Sequence, residues 1–216
     1  MRRTGRSDLE IAFLGLLARR LGSPLVSSFQ KARRDQLSAL SVPPGRVLLL
    51  GDSITDQGEW QELLPDLDVL NRGVSGEVSG QVLSRLDTVV NRPAAVSLLA
   101  GTNDYTSGIK PQAVAATIEM ILQRIDELAP GTPVVLNAVF PRASRFAREI
   151  KATNGLLARM CDPMSSVTFL DLWPELADNS FALREDLTYD GLHLNGAGYR
   201  VWVERLGPEL RRLVRH

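Results

Sequence analysis

Cysteine, histidine and net charge are all scarce in this chain, and each scarcity removes a class of function. Cys161 is the only cysteine in 216 residues, which excludes an internal disulfide and any cysteine-built metal cluster. It falls at the end of a helical pattern, where it reads as a small buried hydrophobe. Lys+Arg and Asp+Glu both number 25, so the formal net charge is zero. That balance gives no overall electrostatic footprint for nucleic acid, although it leaves room for a local basic patch. No apolar run approaches the roughly 20 residues that span a bilayer, which argues against stable membrane insertion. The apolar run from Ile11 to Ala18 follows Asp8 and Glu10 and leads into Arg19 and Arg20. That is the wrong charge order for a secretory signal, so the run reads as a helix of the mature chain and a cytoplasmic location is expected. Internal repeats and low-complexity segments are also missing.

What is present is an ordinary globular mixture, 44% hydrophobic and 23% charged, long enough for one compact α/β domain. Five short apolar runs read as buried strands: Val47–Leu50, Asp68–Asn71, Ala95–Ala100, Pro133–Val139 and Val167–Asp171. Most lack alternation, as expected where helices cover both faces of a parallel sheet. Apolar residues at helical spacing lie between them, from Val78 to Val90, Val114 to Leu128, Phe146 to Met160 and Tyr199 to Leu213. Alternating strands and helices predict a three-layer α/β/α sandwich over residues 46–216. Residues 1–45 form a separate N-terminal helical extension, with helices expected over Leu9–Leu21 and Leu25–Leu40 and a break at Gly22-Ser23-Pro24. Such an extension packs on the domain, makes a homo-oligomer contact or covers a substrate site.

Ligands of open α/β sheets bind outside the carboxyl ends of the strands. The polar clusters fall there: Gly51 to Asp56 after the first strand, Asn71 to Gly76 at the end of the second, Gly101 to Asp104 after the third, and Tyr189 to Asn195 after the fifth. Serine needs a neighbouring base to become a nucleophile. Of two histidines, His216 ends the sequence, which leaves His193 as the internal candidate to activate Ser53. Asp190, three residues earlier, is close enough for a tight turn to set its carboxylate against the imidazole, fixing the tautomer and stabilising the imidazolium. Acyl transfer also requires preorganised donors for an oxyanion. The backbone N–H groups of Ser53 and Gly73 and the amide of Asn103 are the candidates. Taken singly, Gly73 equally makes a turn and Asn103 equally caps a loop. Asp52 and Asp104 read as loop-holding carboxylates. Tyr189 and Arg72 contact substrate or simply pack, and Thr55 and Asp56 are undecided.

Gly51-Asp52-Ser53-Ile54 resembles the Gly-Asp-Ser-Leu block of the GDSL esterases and lipases, the SGNH hydrolase family. All four of that family's named residues find a match in order: Ser53, Gly73, Asn103 in a Gly-x-Asn-Asp block, and His193 in an Asp-x-x-His block with Asp190 as the acid. The blocks run from about residue 47 to 200, most of the chain, and Ile54 for leucine is the one departure in the first. The resemblance implies a flavodoxin-like fold with a parallel five-stranded sheet, no cofactor or metal, and hydrolysis of a small-molecule ester. The acetylhydrolase-like and carbohydrate-esterase-like members look nearest, and no large apolar lid segment is evident, which favours short acyl groups. A nucleotide-binding domain lacks its glycine-rich patterns here, and an inactive carbohydrate-binding or interaction protein on the same fold has no reason to retain the whole residue set. A histidine base predicts that turnover falls as the imidazole takes up a proton. A flat pH–rate profile over about pH 5 to 8 contradicts that base.

Overall fold

The computed structural model describes residues 28–214. A parallel five-stranded sheet runs through the centre in the order β2-β1-β3-β4-β5. Its strands are β1 (Val47–Gly51), β2 (Val69–Gly73), β3 (Ala95–Leu99), β4 (Val134–Asn137) and β5 (Val167–Leu170). All five expected runs form strands, and the order is that of a flavodoxin-like doubly wound sheet. Register is level at the carboxyl edge: Gly51 lies opposite Gly73 on one side and Leu99 on the other. The loops after β1, β2 and β3 therefore leave the sheet at the same height.

The helices are α1 (Ser28–Ser38), α2 (Ser53–Asp56), α3 (Trp60–Leu63), α4 (Ser79–Leu83), α5 (Leu86–Val89), α6 (Thr102–Thr106), α7 (Pro111–Leu128), α8 (Ala147–Cys161), α9 (Trp173–Leu176) and α10 (Gly196–Val214). Strand side chains alternate between two cores. Leu48, Leu50, Val96, Leu98 and Leu136 face a layer that includes Val82, Ile118 and Ile150. Val47, Leu49, Ala95 and Val135 face Trp60, Tyr199, Trp202 and Leu206. Both faces are covered, which is why the strands read as unbroken apolar runs. Cys161 is buried in the first of these cores.

One expectation changes in detail. The single helix expected over Val78–Val90 is two short helices, interrupted at Ser84 and Arg85. Arg85 turns inward there, donating from Nε to Glu77 Oε2 at 2.8 Å and from Nη2 to the Gly51 carbonyl at 3.2 Å. Of the N-terminal extension, α1 falls within the range expected for its second helix. The first helix and His216 lie outside the described residues. Among the described residues no helix is long and apolar enough to cross a membrane.

The second core is organised by α10. Trp202, 1% exposed, meets Trp60 and Phe140 edge to face at centroid distances of 4.8 and 5.1 Å. Its indole N–H donates to Asn137 Oδ1 at 2.9 Å, and Asn137 Nδ2 donates to Ser97 Oγ at 2.9 Å and to the Leu98 carbonyl at 3.1 Å. A buried amide at the end of β4 is tolerated because both its ends are satisfied. Trp202→Ala is expected to cost about 3–5 kcal/mol, since it opens a cavity and orphans the Asn137 oxygen. Urea unfolding of the wild type and variant measures that loss, and a change below about 1 kcal/mol contradicts the role given to this ring.

Candidate active site

Ser53 is the first residue of α2, immediately beyond the end of β1. Asp52 caps this helix, its Oδ1 accepting the Ile54 N–H at 3.1 Å. Four residues make too short a helix to hold itself, so neighbours fix it. The Tyr199 hydroxyl donates to the Ile54 carbonyl at 2.7 Å, and the Trp60 indole N–H donates to the Thr55 carbonyl at 2.7 Å. Asn71 Nδ2 adds a bond to the Asp56 carbonyl at 2.9 Å.

His193 reaches this helix from the loop that leads into α10. Its Nε2 lies 2.9 Å from Ser53 Oγ, and its Nδ1 lies 2.6 Å from Asp190 Oδ2. Asp190 Oδ1 accepts the N–H groups of Leu192 and His193 at 2.9 and 2.8 Å. Burial works to raise the Asp190 carboxyl, but the hydrogen bonds from the His193 ring and from these two N–H groups outweigh it, and the group lies well below the usual carboxylate range. Asp190 is thus an anion beside the imidazole, as the sequence reading requires. Thr188, which that reading passed over, ties the loop together. Its hydroxyl donates to the His193 carbonyl at 2.7 Å and accepts the Gly191 N–H at 3.0 Å. A threonine two residues before an aspartate is a turn signal that could have marked it.

Asn103 lies at the start of α6, directly after β3, and its Nδ2 donates to the Glu77 carbonyl at 2.9 Å. That bond uses one of two amide hydrogens, leaving the other for a ligand. Gly73 is placed differently from the expectation. Its N–H donates to Asn71 Oδ1 at 2.9 Å, so it is committed inside the protein. A Cβ on Gly73 would fall 2.2 Å from the Asp56 nitrogen, so glycine is needed there for α2 to pack against the end of β2. Three residues later, Gly76 holds a φ of +78°, a conformation that favours glycine, and its N–H has no acceptor among the described residues. It directly precedes Glu77, the residue on which the Asn103 amide rests. The signal for it was a second glycine in the same loop. Arg72 is buried and donates to the Asn71 and Ser41 carbonyls, a packing role, while Tyr189 is 95% exposed.

Behind Ser53 lies a group of buried carboxylates. Asp104 accepts the Ser79 N–H at 2.9 Å and the Ser79 hydroxyl at 2.6 Å, and so holds the start of α4. Asp52 and Asp104 thus both hold loops, as expected. Burial pushes Asp52 up to about 7; the Ile54 N–H and Arg142 oppose the rise, while Asp104 and Glu77 add to it. Burial also pushes Asp104 up to about 6, against the Ser79 hydrogen bonds. Asp52 Oδ2 is buried without a partner among the described residues, in keeping with a carboxyl that resists ionisation. No grouping of three or more His, Cys, Asp or Glu suited to a metal ion occurs among the described residues.

Raised carboxyl values fix a sign for stability. Both groups hold their proton more tightly folded than unfolded, so their contribution is complete below the unfolded value of 3.8 and is lost as pH rises through about 6 and about 7. Thermal melts are expected to show Tm falling across that interval, and Asp52→Asn to flatten the fall. Each kcal/mol removed from the slope is worth about 2–4 °C in a chain of this size. An unchanged slope in Asp52→Asn contradicts the assignment.

The family model for GDSL-like lipase/acylhydrolase proteins matches residues 49–201. The platelet-activating factor acetylhydrolase IB subunit alpha2 of Rattus norvegicus is 28% identical over 163 residues, covering 71% of this chain and 70% of that protein. A GDSL-like lipase from Bacteroides thetaiotaomicron superposes with a TM-score of 0.70 at 24% identity, covering 85% of this chain and 97% of its own. A carbohydrate esterase family 3 protein from Talaromyces cellulolyticus gives 0.62 at 20% identity, covering 79% and 98%. The matched segment runs from β1 through the His193 loop into α10, and with it the chain belongs to the GDSL-like lipase/acylhydrolase family of carboxylic ester hydrolases.

Proposed function

We propose that this protein hydrolyses carboxylic esters of short acyl groups through a Ser53–His193–Asp190 triad and an acyl-enzyme intermediate. The observation that carries the reading is the continuous row from Ser53 Oγ to His193 Nε2 at 2.9 Å and from His193 Nδ1 to Asp190 Oδ2 at 2.6 Å. His193 Nε2 takes the Ser53 proton as Oγ attacks the ester carbonyl, and Asp190 balances the imidazolium that forms. The tetrahedral intermediate collapses when His193 returns that proton to the departing alkoxide, leaving an acyl group on Ser53. Water, deprotonated by the same imidazole, then attacks the acyl carbon, and the carboxylic acid leaves as Ser53 recovers its proton.

The oxyanion is held by the Ser53 N–H and by the Asn103 amide hydrogen not used on Glu77. Gly76 supplies the glycine N–H in place of Gly73, a reading supported by the commitment of the Gly73 N–H to Asn71 and by the nearness of Gly76 to the Asn103 anchor. A small soluble ester as substrate accords with relatives named as an acetylhydrolase and a carbohydrate esterase.

A series of p-nitrophenyl esters of increasing chain length, given to the wild type and Ser53→Ala side by side, tests the reading. Activity is expected to be highest for the shortest acyl groups and absent from Ser53→Ala. In Asn103→Ala, kcat is expected to fall on the order of 100- to 1000-fold with the fold retained. Equal hydrolysis by the wild type and Ser53→Ala removes Ser53 as nucleophile, and a wild type inert to the whole series favours a binding protein on this fold.

A further inference from the structure

Helix α1 precedes the segment matched by the family model, yet one face of it is docked on the turn between β2 and α4. Gln30, Arg33, Arg34 and Leu37 share that face, at the spacing of one helical stripe. Gln30 and Leu37 are buried, and a Cβ added to Gly76 would lie 2.7 Å from Gln30 Nε2. Arg33 Nε bonds Asp56 Oδ1 at 3.0 Å and lies 3.4 Å from the Gly73 carbonyl. Arg34 Nε donates to Glu77 Oε1 at 2.6 Å.

Glu77 is the node. Its side chain is 0% exposed and is gripped by two guanidinium groups, Arg34 from α1 on Oε1 and Arg85 on Oε2. Arg85 also donates to the carbonyl of Gly51, two residues before Ser53. The main-chain carbonyl of Glu77 accepts the amide of Asn103, and its N–H donates to the Val74 carbonyl at 3.3 Å. A buried carboxylate left with one of its two cations is strongly destabilised, so the residue shifts to find water or a new partner. Any such shift moves the carbonyl that aims Asn103.

We propose that Arg34 of α1 is a positioning residue for ester hydrolysis, acting through Glu77 to hold the Asn103 amide in the oxyanion site. Docking of α1 thereby sets turnover from outside the segment matched by the family model, without touching substrate. This inference rests on the ester-hydrolase reading given above. Displacing an amide donor by about 1 Å costs on the order of 100-fold, within the range for losing it outright.

The test is a mutant cycle on the full chain with p-nitrophenyl acetate. Arg34→Gln is expected to lower kcat about 10- to 100-fold while KM stays within about twofold. Arg34→Lys, which keeps the charge, is expected to recover part of that loss. In an Asn103→Ala background the same Arg34→Gln change is expected to cost less than about threefold, because the donor it positions is gone. The side-chain amide ¹⁵N–¹H signals of Asn103, recorded without substrate, are expected to shift in Arg34→Gln. Unchanged kcat in Arg34→Gln, or an equal loss in both backgrounds, overturns the proposal. A wild type inert to the ester defeats the catalytic reading instead. In that case the Asn103 amide signals alone decide the coupling, and unmoved signals refute it.

Discussion

Ser53 and His193 are 140 residues apart in the chain and 2.9 Å apart in the fold, so the site depends on how firmly α10 is seated on the sheet. The seat is an aromatic cluster. Trp202 packs on Trp60 and Phe140, while the Tyr199 hydroxyl, one turn earlier on α10, bonds the Ile54 carbonyl beside Ser53. The same helix begins at Gly196, three residues after His193. One rigid body thus carries the imidazole at its entrance and grips the serine helix with its second turn. Errors in the position of α10 move both partners together, which protects their separation better than two independent anchors would.

A second constraint is electrostatic. Asp52, Glu77 and Asp104 are all buried near Ser53 and cannot all be treated alike. Glu77 has two arginines and Asp104 has the Ser79 hydroxyl and N–H, whereas Asp52 has one backbone N–H and an unpartnered oxygen among the described residues. Burial therefore presses hardest on Asp52. Burial at Asp52 weakens the negative charge beside Ser53, where the proposed oxyanion would form, while Asp190 on the other side of the imidazole keeps its charge. The site separates its carboxyl groups by environment, one set neutral or ion-paired and one anionic toward the histidine.

Much of this was legible in the sequence because the fold is written in period. Runs such as Val47–Leu50, too short for a helix and bounded by glycine, read as strands buried on both faces, and long stripes such as Val114–Leu128 read as covering helices. Asp190 and His193 were legible because three residues of separation suffice for a turn. The loop after β2 was harder. Two glycines sit three residues apart after β2, and sequence alone does not say which N–H is already spent on Asn71. The break at Arg85 was invisible for a similar reason, since its partners Glu77 and Gly51 are brought to it only by tertiary packing. What periodicity misses in this chain is the destination of individual polar groups.

Asp190 and His193 form a unit closed on itself. Asp190 holds the His193 ring and the backbone of Leu192 and His193, and Thr188 closes the same turn. The stretch between β5 and Thr188 makes none of those bonds; its Leu187 and Asp186 carbonyls instead accept from the N–H and side-chain amide of Asn195, at the entrance to α10. The turn from Thr188 to His193 therefore keeps its own hydrogen bonds whatever exposed side chains the preceding stretch carries, so that stretch can be altered at its surface without unpicking the turn.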